Sequence, residues 1–434
     1  MFISDLKSAI RSIFRNRLVS LISILGLGIG LGCTIVLLAL IVHERSFNKF
    51  MPESANVYRI IFGTSAQTPY PLAESMAAEF PGVKDFFRYT QAGSIQVKSG
   101  DNTTIRQTGF GFADPSIFRI TGIDFISGGP ALLQNEVALS RETAIKLFGD
   151  EDVTGKLLPV KLAGVFTDMV VKGVYEDFPP NSTMNPSMVA DIKMSDRLIK
   201  QFQRTLGDFG NENNTPFNWT YNELSAYVVL DRNSDPEELA SSLAKYKEFL
   251  LTPDKDKLDF RLQPVSEIYL DSEGIVTGLG VRRGNKEELI YYEAISLLIL
   301  IISLTNYILL ARAKAFDRTH EFGTRKVFGA GGPGITRLIL TESFLMVILS
   351  LIPAVFVIDY GMDFVNEAMN KTLSGGIFLN PKLWLMMLMV VLLTGLLTGL
   401  LIGRNFSRRP LLGLLAGKNG QKGRPGRLSN SFLV

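Results

Sequence analysis

Four stretches of the chain are apolar without the polar interruptions that mark a surface helix or strand. The first, Leu18 to Val42, reads LVSLISILGLGIGLGCTIVLLALIV and contains no charge. The second is Ala294 to Leu310. The third, Ile335 to Ile358, holds only Arg337 and Glu342, both near its start, and the fourth runs from Leu383 to Gly403. A hydrocarbon core about 30 Å thick asks for roughly 20 apolar residues in a helix. A buried core helix is the plain alternative for any one run, but four in one chain predict four membrane spans. The first is too long for the roughly 7–15-residue apolar region of a signal peptide, and no small-x-small cleavage site follows it, so it reads as an anchor. Glu342 reads as a cap or as the partner of Arg337.

Two finer patterns accompany the spans. Residues 2–14 place Phe2, Ile3, Leu6, Ile10, Ile13 and Phe14 at helical spacing, with Lys7 and Arg11 on another face. This fits either an amphipathic helix on the cytoplasmic membrane surface or the start of a longer first helix. Within the first span, Gly26, Gly28, Gly30 and Gly32 form two overlapping small-xxx-small pairs, a pattern that lets helix backbones approach closely.

Residues 44–290 behave differently. Alternating or β-branched stretches at Val57–Phe62, Ile95–Val97, Val137–Leu139, Met169–Val174 and Ser225–Leu230 predict strands. Pro71–Phe80, Arg141–Phe148 and Pro236–Phe249 predict helices, the last after the capping candidates Asn233, Ser234 and Asp235. No βαβ rhythm organises them. The expected fold is therefore an α-helical membrane protein with four transmembrane helices and an α+β domain between the first and second.

Charge orients these pieces. Residues 44–290 carry 34 of the 42 acids and 26 of the 45 bases, so the flanking segments are strongly basic. Such a split marks two sides of a membrane and gives no nucleic-acid patch. Lys7, Arg11, Arg15 and Arg17 precede the first span; Arg312, Lys314, Arg318, Arg325 and Lys326 lie between the second and third; Arg404, Arg408, Arg409, Lys418, Lys422, Arg424 and Arg427 follow the fourth. The positive-inside rule puts these segments and both termini in the cytoplasm, and turns 44–290 and the short loop 359–382 outward. The implied organisation is a cytoplasmic segment 1–17, a first span 18–43, an outward domain 44–290 and a membrane unit 291–404. That unit holds spans at about 294–310, 335–358 and 383–403, a cytoplasmic loop 311–334, and is followed by a basic tail 405–434.

Catalytic patterns are lacking. One cysteine, Cys33, and two histidines, His43 and His320, allow no internal disulfide and no usual zinc site. The run Gly149 to Lys156, GDEDVTGK, fails as a phosphate loop: five residues separate its glycines, and Leu157 stands where Ser or Thr is needed. Glu176–Asp177 and Glu151–Asp152 read as turn and surface residues. A secondary transporter would place ionisable groups near mid-membrane, and a receptor would carry a cytoplasmic output module; neither appears.

The loop from Tyr307 to Phe344 is the most informative stretch. It has helical spacing, mixes Arg318, Arg325 and Lys326 with Glu321 and Phe328, and ends in the glycine-rich Gly329–Gly334. A short surface helix of charges and apolar knobs suits docking into a partner's groove, the plain alternative being a positive-inside loop with no partner.

The run Arg318-x-x-Glu321-x-Gly323-x-Arg325-Lys326-x-x-Gly329-Ala330, with Glu342-Ser343 in the next span, resembles the signature of MacB/FtsX/LolC-type ABC permeases. Further matches are His43-Glu44 through Phe47, Phe50, Tyr58 and Arg59; Ala113-Asp114-Pro115-x-Ile117-Phe118; Ala144-x-Lys146-Leu147-Phe148-Gly149-Asp150; Gly155-Lys156; and Gly173-Val174-x-Glu176-Asp177. The chain is most similar to the form abundant in Bacteroidetes. The resemblance implies a MacB-like periplasmic core domain, an FtsX-like permease domain and residence in the bacterial inner membrane. It further implies a non-catalytic subunit that binds no cofactor and works as a dimer, or as a pseudo-dimer with a second permease unit. ATP and Mg would be held by a separate cytoplasmic ABC ATPase. The helix around Arg318, Glu321, Gly323, Arg325, Lys326, Phe328, Gly329 and Ala330 would contact that ATPase, and the first two spans would carry motion outward for export or extraction of substrate. A periplasmic partner and a non-exporting role, regulating a cell-wall hydrolase or a sensor kinase, also occur on this scaffold. Two features depart from the pattern. Leu401-Ile402-Gly403-Arg404 stands where the family has Tyr-Pro-Ala, leaving Ser407, Pro410 and Gly417-Lys418 in register. The basic linker Lys418–Arg427 followed by Ser431–Val434 resembles the start of a second four-span unit cut short.

Overall fold

The longest apolar runs form the longest helices. In the computed structural model, which describes residues 2–99, 103–162, 164–195, 219, 222–250, 255–369, 373 and 381–408, the helices in chain order are α1 (Phe2–Arg15), α2 (Arg17–Glu44), α3 (Tyr70–Glu79), α4 (Ser116–Thr121), α5 (Arg141–Phe148), α6 (Pro236–Ser242), α7 (Lys286–Asp317), α8 (Thr319–Val327), α9 (Gly332–Met369) and α10 (Pro381–Ser407). Four of them, α2, α7, α9 and α10, are long and apolar enough to cross a membrane, at 28, 32, 38 and 27 residues. A rise of 1.5 Å per residue gives even the shortest about 40 Å. Each outruns its apolar stretch because charged residues continue a helix past the hydrocarbon as readily as apolar ones start it. In α7 these are Lys286 to Glu293 at one end and Arg312 to Asp317 at the other. The linker Lys418–Arg427, with Pro410, Gly417-Lys418 and Ser431–Val434, lies outside the described residues, as does most of 370–380.

The chain divides into two compact units, one of residues 1–43 with 287–434 and one of 44–286. In the helical unit, Asn16 interrupts the helix between α1 and α2, so the amphipathic segment is an element of its own. The α2 glycines face two neighbours alternately. A Cβ on Gly30 would overlap Ser303 Oγ and one on Gly26 would stand 3.3 Å from Asn306 Nδ2, both on α7. A Cβ on Gly28 would meet Pro353 Cγ at 2.5 Å and one on Gly32 Val357 Cβ at 2.6 Å, both on α9. A second stripe, which sequence reasoning passed over, lies on α10: Gly395, Gly399 and Gly403 abut Phe344, Leu340 and Thr336 of α9. Its spacing, glycine at every fourth residue, is the same small-xxx-small signal.

The other unit is built on a mixed sheet. Its strands are β1 (Val57–Phe62), β2 (Thr68–Pro69), β3 (Val83–Gln91), β4 (Ile95–Lys98), β5 (Thr104–Gln107), β6 (Phe110–Ala113), β7 (Phe125–Gly128), β8 (Glu136–Ser140), β9 (Leu157–Leu162), β10 (Val165–Tyr175), β11 (Met188–Asp191), β12 (Asn222–Leu230) and β13 (Phe260–Pro264). They lie in the order β13-β1-β12-β3-β6-β11-β8-β10-β9-β4-β5, with β2 beside β12 and β7 beside β10. The β8–β10 and β6–β11 pairs are parallel and the remaining ladders antiparallel. The interior strand β12 is covered on both faces. Ala226, Val228 and Leu230 pack with Leu72, Ala73 and Met76 of α3, while Tyr227 and Val229 join Phe87, Ile117 and Phe118 on the other side. Tyr227 stacks on its cross-strand neighbour Phe87, ring centroids 4.5 Å apart.

Local chemistry explains three further details. Ser140 caps α5 by accepting from Thr143 N, and Gly149 ends it at φ +74°. A strand, β9, follows Gly149–Lys156, so the segment has no helix N-terminus with which to cradle a phosphate. The predicted helix 236–249 is α6 followed by a 3₁₀ stretch, Leu243–Phe249, because Ser241 and Ser242 donate back to Glu237 O and Glu238 O at its junction. Finally, the chain just after α2 is tied to the segment preceding α7. Asn48 Nδ2 donates to Thr183 Oγ1 and Val265 O, both at 2.8 Å. Tyr269 OH donates to Glu44 Oε2, and its ring stacks on Phe47.

Candidate functional site: the helix between the second and third spans

The expected docking segment is a true helix with defined ends. Helix α7 runs through residues 311–317 of the expected loop, Arg318 breaks the geometry at φ −101° and ψ 11°, and α8 follows at once. After Phe328 the chain closes with a Schellman motif: Ala330 N donates to Arg325 O at 2.9 Å and Gly329 N to Lys326 O at 3.1 Å. Gly329 sits at φ +86°, the left-handed conformation that this motif reserves for glycine. The Gly329-Ala330 pair of the sequence signature is thus a helix stop.

One face of α8 is packed. Phe322 is fully buried among Ala315, Ile335, Ile339, Ile402 and Phe406, with Gly323 buried beside it. The opposite face presents His320, Thr324, Val327 and Phe328, an i, i+4, i+7, i+8 stripe; Val327 is 60 % and Phe328 86 % exposed. Of the residues predicted to meet a partner, the structure therefore places Phe328 outward and Gly323 inward.

Arg318 is also internal, at 4 % exposure. Its Nη1 is paired with Glu342 Oε2 of α9 and donates to Ser12 Oγ of α1, while Nε and Nη2 donate to Glu321 at 3.0 and 2.9 Å. Lys314, 7 % exposed, reaches Glu342 Oε1 at 2.8 Å and Ser20 Oγ at 3.3 Å. Glu321 is in turn approached by Arg325 at 3.2 Å and Arg15 at 3.5 Å. Burial pulls the Arg318 pKa down, but the carboxylates of Glu321 and Glu342 more than offset it, and the net shift is upward. Burial likewise pushes Glu321 up, and Arg318 with Arg325 and Arg15 brings it below the usual carboxylate range. Lys326 Nζ donates to Ser407 O at the end of α10.

The expected Glu342–Arg337 pair is not formed. Five residues apart, the two project about 140° from each other around the helix, so Arg337 instead pairs with Asp5 of α1 at 2.8 Å. Helix α1 thus turns Asp5, Ser8 and Ser12 toward the protein, Ser8 accepting from Arg325, and leaves Lys7, Ile10, Arg11 and Phe14 exposed. Sequence reasoning missed the partners Asp5, Ser12 and Lys314. The available signals were the i, i+4 pair Lys314–Arg318 and a charge, Glu342, inside an apolar span. Among the described residues no three His, Cys, Asp or Glu side chains gather as a metal site would need.

Four helices long and apolar enough to cross a membrane, with a large sheet domain inserted in the chain between the first and second, are the organisation of a polytopic membrane protein. The sequence matches two family models over most of its length: the MacB-like periplasmic core domain over residues 20–246 and the FtsX-like permease C-terminal domain over 293–411. The chain belongs to the MacB/FtsX-type ABC-transporter permeases. It is therefore a multi-pass inner-membrane protein with a periplasmic domain, a transport subunit of the kind that works with cytoplasmic ATPases. Among solved structures it is similar to a domain of a putative permease protein from Porphyromonas gingivalis, with 22 % identity, 49 % of this chain and 92 % of that one covered, and a TM-score of 0.41. It is also similar to the periplasmic region of MacB from Actinobacillus actinomycetemcomitans, with 14 % identity, 51 % and 92 % covered, and a TM-score of 0.35. A third similar structure is the extracellular domain of the noncanonic ABC-type transporter YknZ from Gram-positive bacteria, with 15 % identity, 48 % and 100 % covered, and a TM-score of 0.32. No curated protein sequence matches the chain.

Proposed function

We propose that this chain couples ATP hydrolysis on a separate cytoplasmic ATPase, which holds the ATP and Mg, to movement of its periplasmic domain, and that α8 is the docking helix. The observation that carries the reading is the division of α8 into a packed face around Phe322 and an exposed stripe of His320, Thr324, Val327 and Phe328. An exposed phenylalanine on a short, firmly held helix is a typical anchor for a partner's pocket. In this reading both termini and α8 are cytoplasmic, and the outward face of α1, with Ile10, Phe14, Lys7 and Arg11, rests on the cytoplasmic leaflet. The functional unit is a dimer or a pseudo-dimer. The ties through Asn48 and Tyr269 support transmission, since they bind the chain leaving α2 to the segment entering α7.

The test is a pull-down of the amino-tagged chain from membranes of its native host, with mass spectrometry of what accompanies it. A cytoplasmic ABC ATPase is expected with the wild type, and Val327→Asp with Phe328→Asp is expected to lose it while membrane insertion persists. Capture undiminished in the double variant removes α8 from docking. A kinase or wall hydrolase captured alongside the ATPase directs the reading from export to transduction.

A further inference from the structure

We infer that Glu342 is a positioning residue, an ionic lock that sets the angle at which α8 leaves α7; this rests on α8 being the docking helix. Arg318 is the single residue between the last residue of α7 and the first of α8. Whatever holds Arg318 holds the joint. Its guanidinium is buried and divided between two carboxylates, Glu321 on α8 and Glu342 on α9. Glu342 also takes Lys314 of α7 at 2.8 Å and the hydroxyl of Ser12 on α1 at 2.8 Å. One carboxylate therefore ties together the end of α7, the joint, α9 and α1, and through Glu321 the tie passes to Arg325 and Arg15.

The charges alternate along this path: Lys314, Glu342, Arg318, Glu321, Arg325. In such a chain each group is compensated only by its neighbours, and removing an inner member leaves like charges facing each other in a medium that screens them poorly. Without Glu342, Lys314 and Arg318 lose the acid they share, and the joint has no fixed partner on α9. A displacement of α9 or α7 is passed to α8 as a change of angle only while this carboxylate links them. The lock thus serves transmission, and docking depends on the separate, exposed stripe.

The test measures turnover on the unlabelled full chain in nanodiscs with its co-purified ATPase, and joint mobility on the full chain alone in nanodiscs, with Cys33→Ser and a nitroxide at Thr324→Cys on the exposed face of α8. Glu342→Gln is expected to keep the ATPase bound with its KM for ATP unchanged, to lower kcat about tenfold, and to mobilise the label. Glu342→Asp, which keeps the charge, is expected to recover most of both. Wild-type kcat in Glu342→Gln overturns the inference. If that variant fails to insert, the charge-balanced pair Lys314→Gln with Glu342→Gln is read in its place, and wild-type kcat there overturns it equally. Val327→Asp with Phe328→Asp separates the two claims. If that variant still binds the ATPase, the docking reading fails, and the label spectrum of Glu342→Gln alone judges the lock, an unchanged spectrum sinking it.

Discussion

Gly329 shows how one backbone conformation sets where α8 ends. A Cβ there would meet nothing within 4 Å, so the cost of a substitution is conformational and not steric. Gly329→Ala is expected to cost about 1–2 kcal/mol, enough to open the Schellman closure without unfolding the protein. Faster tryptic cleavage at Arg325 and Lys326, with an unchanged global melting temperature, is the expected result, and Gly329→Asn should do less. Glu136 provides a second residue-scale test, in the sheet unit. Burial pushes its pKa up, but hydrogen bonds from Leu132 N and Leu133 N and the nearby Lys172 bring it below the ordinary value. A carboxylate depressed in the folded state adds stability that is full above its unfolded pKa of about 4.3 and is lost as pH falls through the lower folded value. Glu136→Gln should therefore speed hydrogen exchange at Leu132 and Leu133 at pH 7, by about 1–2 kcal/mol of local stability, and the difference should vanish in acid. The helix Thr319–Val327 and its glycine stop were legible because helix stops and charges recur in sequence. The lock was not, because Ser12, Lys314 and Glu342 come together only through the fold.

At the scale of elements, legibility followed the number of faces each element buries. The four long helices announce themselves because all their faces are apolar. Strands such as β3, β6 and β11 did not, since VKDFFRYTQ, FGFA and MVAD show no clean alternation. Phe112 and Ala113 of β6, and likewise Ala190 and Val189 of β11, are buried on opposite sides of the sheet, and a strand covered on both faces loses the period of two. Arg88 on β3 hides the pattern further, as a buried cation held by two bonds to Asp114. Glycine stripes give the element-scale prediction. A Cβ on Gly399 would come within 2.5 Å of Leu340, whereas one on Gly334 meets nothing. Gly399→Leu should destabilise the helical unit by about 1–3 kcal/mol through overpacking, and Gly334→Ala should be neutral or mildly stabilising through helix propensity. Thermal unfolding of the two variants in detergent checks the contrast; equal melting temperatures would mean that α9 and α10 separate easily at this stripe.

For the whole molecule, charge and topology must agree. The sheet unit lies between α2 and α7, so the ends of those helices that meet it belong on one side of the membrane, and four spans then return the chain to the side on which it started. By the positive-inside rule, the bases that precede α2, follow α7 and cluster around α8 assign that starting side to the cytoplasm, the orientation proposed above. The buried network adds a constraint that hydropathy lacks. Asp5, Ser8 and Ser12 of α1 bond to Arg337, Arg325 and Glu342, so the amino end and α8 share a side whichever way the protein inserts. Orientation can therefore be decided with two probes, provided each is exposed; Lys314, charged but buried, would be silent in either orientation. In a Cys33→Ser background, Glu53→Cys and Thr324→Cys lie on exposed positions of the sheet unit and of α8. A membrane-impermeant maleimide added to spheroplasts should label Glu53→Cys at once, and Thr324→Cys only after lysis. The reverse order would invert the protein and place α8 where no ATPase can reach it.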